Sequence, residues 1–265
     1  MKLVLFFLLF SFQTMAFSKR VISTSPSVTN IIRELGAGDK LVAVSPYCEN
    51  EKSLPITGTN FGFKFEKALS LRPDLIILPK TNSSKLISNF KKLNFHYLEL
   101  DHDSVDGIRT SISILGKELG YESKAKLMLK TFDKKLMANY RESNKSVLIV
   151  VSSSLSHGKI RDLYSAGEES LYGDLIRKAG FKIATKGLKG GYPAINTEKL
   201  MALNPDVIFY FAKKENLDSY VKAWQKLSFL SAVKNKQVHA LLDNKLNIPD
   251  HHIVDLVTVL REKVL

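Results

Sequence analysis

Short, uniformly apolar runs alternate with amphipathic stretches along most of the chain, and each change of period marks a change of element. Residues 20–24, 41–44 and 75–77 read as strands, with consecutive apolar residues at Val21-Ile22, Leu41 to Val44 and Leu75 to Ile77. Strands covered on both faces of a parallel sheet read this way. Residues 146–151 and 182–184 repeat the pattern in the second half. Between these strands, residues 31–36 and 175–180 each bring a helical stretch to a glycine, Gly36 and Gly180, the usual signal just past a helix end. Each half therefore reads strand, helix, strand, short helix, strand. Such alternation predicts parallel sheets flanked by helices.

An internal repeat organises these elements. Residues 66–77 and 198–209 share Glu, Lys, Leu, Pro, Asp and Ile at matching positions, starting from Glu66 and Glu198. The glutamate opens a short helix, whose positive end favours a carboxylate. The proline stops that helix, the aspartate turns the chain, and an apolar strand follows. Between the copies, residues 106–119 predict one amphipathic helix ending at Gly120. Residues 122–142 predict another with no Pro or Gly, about 30 Å long and stiff enough to act as a strut between lobes. The expected fold is α/β: two Rossmann-like lobes with parallel sheets, joined by a single long helix. The division is an N-terminal lobe over 19–103, connecting helices over 104–143 and a C-terminal lobe over 144–265.

The N-terminus changes the cellular picture. Lys2 is followed by an almost wholly apolar run over 3–12 and then Thr14, Met15 and Ala16. This reads as a cleavable signal peptide over 1–18, too short for a spanning helix. No Cys ends the run, so no lipid anchor is expected. The net charge of +13 is spread without a basic block, which argues against nucleic acid. Cys48 is the only cysteine; it leaves no internal disulfide to expect and reads as a small apolar filler.

Enzyme signatures are missing: no Gly-x-Ser-x-Gly elbow, no P-loop and no Gly-x-Gly-x-x-Gly after the first strand. The six histidines, at 96, 102, 157, 239, 251 and 252, offer no helical metal spacing, so no metal site and no cofactor are expected. His251 and His252 follow Pro249-Asp250 and read as a solvated helix start capped by Asp250, the alternative being ligation of haem iron or corrinoid cobalt.

Residues 20–29, the loop from Ser45 to Cys48 and the repeated Glu-to-Pro-Asp motif resemble class III periplasmic substrate-binding proteins. These serve importers of cobalamin, ferric siderophores and haem. The likeness covers essentially the whole mature chain, including Trp224, which matches a core position. The order of its loops is most similar to the cobalamin-binding members. The resemblance implies a monomer in the periplasm that holds a small-molecule ligand between its lobes. It also implies that Glu66 and Glu198 dock onto a dimeric inner-membrane permease. Ligand candidates come from loops at strand ends, where open α/β sheets place their sites. They are Ser25, Pro26, Ser27, Tyr47, Asn60, Phe61 and Phe63 in the first lobe. In the second they are Ser153, Tyr164, Ser165, Glu168 and Tyr192. Tyr47, Phe61, Tyr164 and Tyr192 would wall a flat corrin or porphyrin.

Overall fold

The computed structural model describes residues 19–49, 53–138 and 140–264. The signal peptide expected over 1–18 lies outside them. In chain order the first lobe contains β1 (Val21–Ser23), α1 (Pro26–Glu34), β2 (Leu41–Ala43), α2 (Phe65–Leu71), β3 (Leu75–Pro79), α3 (Ser84–Lys92) and β4 (Tyr97–Leu100). Its four strands form a parallel sheet in the order β2-β1-β3-β4. Two helices follow, α4 (Val105–Leu119) and α5 (Glu122–Met137). The second lobe contains β5 (Ser146–Ser156), β6 (Lys159–Ser165), α6 (Leu171–Lys178), β7 (Lys182–Ile183), β8 (Ala194–Ile195), α7 (Thr197–Leu203) and β9 (Val207–Phe211). It closes with α8 (Leu217–Gln225), α9 (Ser231–Lys234), β10 (Val238–Leu241) and α10 (Asp255–Val264).

The second sheet runs β10-β9-β5-β6-β8, with β7 beside the start of β5. It departs from the all-parallel expectation at one hairpin. β5 continues past its buried part into an alternating half-exposed stretch, turns at His157-Gly158 and returns as β6 antiparallel to itself. Both turn residues have positive φ, 50° and 65°, the geometry of a type I′ hairpin turn.

The repeated motif is built alike in both lobes. α2 and α7 each end on a left-handed residue, Arg72 at φ 46° and Asn204 at φ 35°. The residue before a proline is disfavoured in the helical region, so both helices stop there. Asp74 and Asp206 do more than turn the chain. The Asp74 carboxylate accepts the Arg20 N–H at 2.7 Å. The Asp206 carboxylate accepts the Ser146 N–H at 2.7 Å and the Ser146 hydroxyl at 2.8 Å. Each aspartate thus ties its own strand to the start of the neighbouring one.

The link between the lobes is a pair of helices. α5 is shorter than the expected 122–142: it ends at Met137, and Ala138 is already extended. Its last turn is held by Arg261, which donates to the carbonyls of Ala138, Lys178 (2.7 Å) and Ala179 (3.3 Å) and lies over the Tyr140 ring. Gly120, at φ 79°, ends α4 and lets the chain fold back, so that α5 runs alongside α4 with Arg109 paired to Asp133 at 2.8 Å. A side chain at Gly116 would collide with Ala125, so glycine there permits the close approach.

The period-two pattern of the strands sorts the core. Val21, Leu75 and Ile77 join Val147, Ile149, Val207 and Phe209 in one apolar cluster that passes through α4 and α5. The alternate residues Ile22, Ile76 and Leu78 pack on Phe90 in the first lobe. Leu148, Val150, Ile208 and Tyr210 pack on Trp224 in the second. Trp224 is a core residue, as the sequence implied. Cys48 is only half-buried, its Sγ within 3.2 Å of the Ser45 and Thr29 hydroxyls.

Candidate functional site

Beyond the carboxyl ends of β1, β2 and β3 the chain encloses a cavity of about 810 Å³ lined by Thr24, Ser25, Pro26, Tyr47, Asn60, Phe61 and the segment 79–83. Five of the twelve ligand residues expected from sequence meet here: Ser25, Pro26, Tyr47, Asn60 and Phe61. The loop over 57–64 explains the arrangement. It is closed by Lys64 N–H to the Thr57 carbonyl at 2.8 Å and by Gly62 N–H to the Thr59 carbonyl at 3.2 Å. Gly58, at φ 95°, has the Gly62 carbonyl pressed against it where any side chain would stand, so only glycine fits. This tight closure throws Phe61 out at the tip and turns Phe63 inward. The Phe61 ring is 101% exposed, and Tyr47 is 77% exposed.

Phe63 therefore leaves the expected set. It is buried in the first lobe, edge-on to Phe65 and Phe90 with ring centroids 5.1 Å away. Asn60 is pinned from below. Its Oδ1 accepts the Thr24 hydroxyl at 3.0 Å, and its Nδ2 donates to the Pro79 carbonyl at 3.0 Å.

Beneath Ser25 lies a chain of polar groups that strand-end reasoning reached only in part. Ser25 caps α1, accepting the Val28 N–H at 3.3 Å. Its Oγ is 3.0 Å from Ser27 Oγ, which is 2.9 Å from His102 Nδ1. Ser27, another sequence candidate, is buried and does not line the cavity. Burial lowers the His102 pKa to about 4, against a smaller opposing effect of Asp101, so the ring is neutral at pH 7. Thr24, Thr59, His102 and the segment 79–83 are the site residues that sequence reasoning missed. The segment follows a strand end and was open to the same rule that found Tyr47.

The second-lobe candidates do not join this cavity. Tyr164 lies on β6 and lines a separate cavity of about 760 Å³ with Arg161, Lys199 and Lys226. Ser153 and Ser165 are strand residues of the hairpin rather than loop residues. Ser153 Oγ donates to Tyr220 Oη at 3.3 Å, and Ser165 Oγ is buried without a partner. Glu168 accepts the Gly187 N–H at 2.8 Å. Tyr192 is half-exposed in the loop that rests on Gly167; burial first, and then the charge of Asp103, raise its pKa. Asp103 follows β4, so Tyr192 lies at the junction of the lobes.

Glu66 and Glu198 occupy the same position in the first turn of α2 and α7, and both are exposed. In a parallel βα unit the helix runs back along the strands, so its start lies at their carboxyl edge. Each glutamate thus stands at the carboxyl edge of its own lobe's sheet, and Glu66 shares that edge with the cavity. His251 and His252 stand elsewhere, at a cavity of about 210 Å³ against Glu34, Lys124 and Lys135. They are not a solvated helix start. Asp250 is 1% exposed; it accepts the Asn30 Nδ2–H from the first lobe at 2.6 Å and the His252 N–H at 2.7 Å. Burial lowers the His251 pKa to about 4. Among the described residues no three His, Cys, Asp or Glu side chains gather into a group able to hold a metal ion.

A family model described as periplasmic binding protein matches residues 21–244. The vitamin B12-binding protein of Vibrio cholerae serotype O1 is 27% identical over 254 residues, spanning 91% of this chain and 87% of that protein. The crystal structure of the periplasmic vitamin B12 binding protein BtuF of Vibrio cholerae superposes with a TM-score of 0.74 at 25% identity, covering 92% of this chain and 96% of that one. The periplasmic heme-binding protein HutB of Vibrio cholerae superposes with a TM-score of 0.74 at 21% identity, covering 92% and 99%, and shares the fold.

Proposed function

The chain belongs to the periplasmic binding protein family, and on that premise we propose that it captures a corrinoid and delivers it to an ABC importer of the inner membrane. The observation that carries this reading is the pair of exposed aromatic side chains, Tyr47 and Phe61, standing at one largely apolar cavity that Ser25 and Asn60 also line. A large flat ligand needs apolar walls and a few fixed polar contacts. The vitamin B12-binding relatives favour a corrin over other flat ligands. No chemistry is performed on the ligand; the site binds and releases it.

Delivery follows from the repeat. A permease with two-fold symmetry presents two equivalent surfaces, and Glu66 and Glu198 offer one carboxylate per lobe, each at the carboxyl edge of its own sheet. Export by the signal peptide over 1–18 places the mature chain in the periplasm, where it acts as a monomer.

The test is direct. The mature protein, mixed with cyanocobalamin and passed over a sizing column, elutes as a coloured one-to-one complex. Failure to retain cobalamin, with retention of haem or a ferric siderophore, replaces the corrinoid by an iron ligand. For docking, the double substitution Glu66→Lys and Glu198→Lys abolishes uptake while leaving cyanocobalamin affinity unchanged. Undiminished uptake by that variant removes the docking role.

A further inference from the structure

His102 lies outside the cavity, 5% exposed, and its Nε2 is buried without a hydrogen-bond partner. Its one contact is Nδ1 to Ser27 Oγ at 2.9 Å. A neutral imidazole carries one N–H and one bare nitrogen. If the proton sat on Nε2, a buried N–H would be orphaned. Buried N–H groups are left orphaned more rarely than buried acceptors. The inventory therefore places the proton on Nδ1, donating to Ser27 Oγ.

The direction then propagates. Ser27 accepts from His102 and turns its own O–H to Ser25, 3.0 Å away. Ser25 Oγ already accepts the Val28 N–H. A hydroxyl has two lone pairs and one proton, so both Ser25 lone pairs are occupied and only its O–H remains free. We propose that His102 is a positioning residue that fixes Ser25 as a hydrogen-bond donor to the cavity, so that the ligand atom seated there is an acceptor oxygen of an amide, carboxylate or phosphate group.

The few polar groups set beside Ser25 in this largely apolar lining are donors as well. The Asn60 amide spends one N–H on Pro79 and keeps the other, while Lys80 adds a cation at the rim. An amide-fringed or acid-fringed macrocycle suits such a lining; a ligand presenting N–H groups there does not.

The inference rests on the cavity being the ligand site, and its test separates the two. Long-range ¹H–¹⁵N correlation on the full mature chain, with His102 identified from the His102→Asn variant, reports which ring nitrogen holds the proton. A proton on Nδ1 is expected; a proton on Nε2 overturns the proposal whether or not cobalamin binds. The ligand arm is a double-mutant cycle read by titration with cyanocobalamin. Ser25→Ala and His102→Leu each weaken binding by about 3- to 10-fold, the worth of one hydrogen bond. The double variant is no weaker than Ser25→Ala alone. His102→Asn, whose amide N–H takes the place of Nδ1–H, restores most of the loss. Additive losses, or no rescue by asparagine, overturn the proposal. Absence of any cobalamin binding by the parent protein counts against the corrinoid reading alone, and the proton position still decides this one.

Discussion

Replacing Phe61 with alanine and Phe63 with alanine should produce opposite defects two residues apart. Phe61 is 101% exposed at the rim of the cavity, so its removal costs the free protein almost nothing. A flat ligand covering one face of the ring buries about 100 Å² of it, half of what a phenylalanine buries when enclosed. At ~25 cal/mol per Å² that is about 2.5 kcal/mol. Some of it is lost to ordering the loop, so Kd for cyanocobalamin should weaken roughly 10- to 60-fold. Phe63 packs edge-on against Phe65 and Phe90. Its truncation leaves a cavity costing about 3–5 kcal/mol, which lowers Tm by roughly 6–20 °C. Calorimetric titration and thermal unfolding of both variants separate the two effects. Unchanged affinity with a lowered Tm in Phe61→Ala would refute the reasoning, because the exposed ring would then be structural.

Three more expectations follow from the same contacts. His102 and His251 each have a folded pKa of about 4 against ~6.5 unfolded. The unfolded chain therefore takes up protons first as pH falls, and stability present above ~6.5 is lost toward 4, about 3 kcal/mol for each group. Asp250, whose pKa is raised by burial, opposes part of this loss at the acidic end, and His252, raised first by its hydrogen bond to Asp255, adds its stability earlier, as pH falls toward ~6.5. Urea midpoints between pH 7.5 and 4.5 should therefore fall, less steeply in His102→Asn, and a flat profile contradicts the assignment. Arg261→Leu strips three carbonyls at the ends of α5 and α6 of their shared donor and should cost about 3–5 kcal/mol. Lysine should recover little of it, having no fork of donors, and denaturant unfolding measures both. Small-angle scattering should show no resolvable contraction on adding cyanocobalamin; a clear contraction would mean that the lobes close as separate bodies.

What was legible in the sequence was whatever repeats or keeps a period. The Glu-to-Pro-Asp motif announced two like lobes, and the uninterrupted strands announced buried parallel pairs. The hairpin of β5 and β6 was written too, in the alternation after Val151 and in His157-Gly158, but a run of serines resembles a loop when only apolar residues are counted. Contacts across long separations were not legible. Ser27 and His102 are 75 positions apart, and Asn30 and Asp250 are 220 apart. Nor can spacing decide which of Phe61 and Phe63 faces outward, because the loop between strands has no period. Gly58 pressed on Gly62 decides it, and that is a property of the closed loop.

The shared core bears on how a ligand enters. Val21, Leu75 and Ile77 of the first sheet, Ile112 and Leu115 of α4, Phe132 of α5, Val147 and Ile149 of the second sheet, and Leu256 and Leu260 of α10 belong to one apolar cluster. Polar ties cross the same boundary: Asn30 to Asp250, and Asp174 accepting the Val105 N–H at 3.1 Å. Prising the lobes apart by even ~400 Å² of apolar surface would cost about 10 kcal/mol, comparable to the 5–15 kcal/mol that holds a whole domain folded. Ligand binding cannot be driven through such an opening at ordinary affinities. Adjustment must therefore fall to what is exposed and outside the cluster, the loop carrying Phe61 and the turn carrying Tyr47. Those are the side chains whose rings stand in solvent before the ligand arrives, so they can close on it without disturbing the core that keeps the two lobes in register.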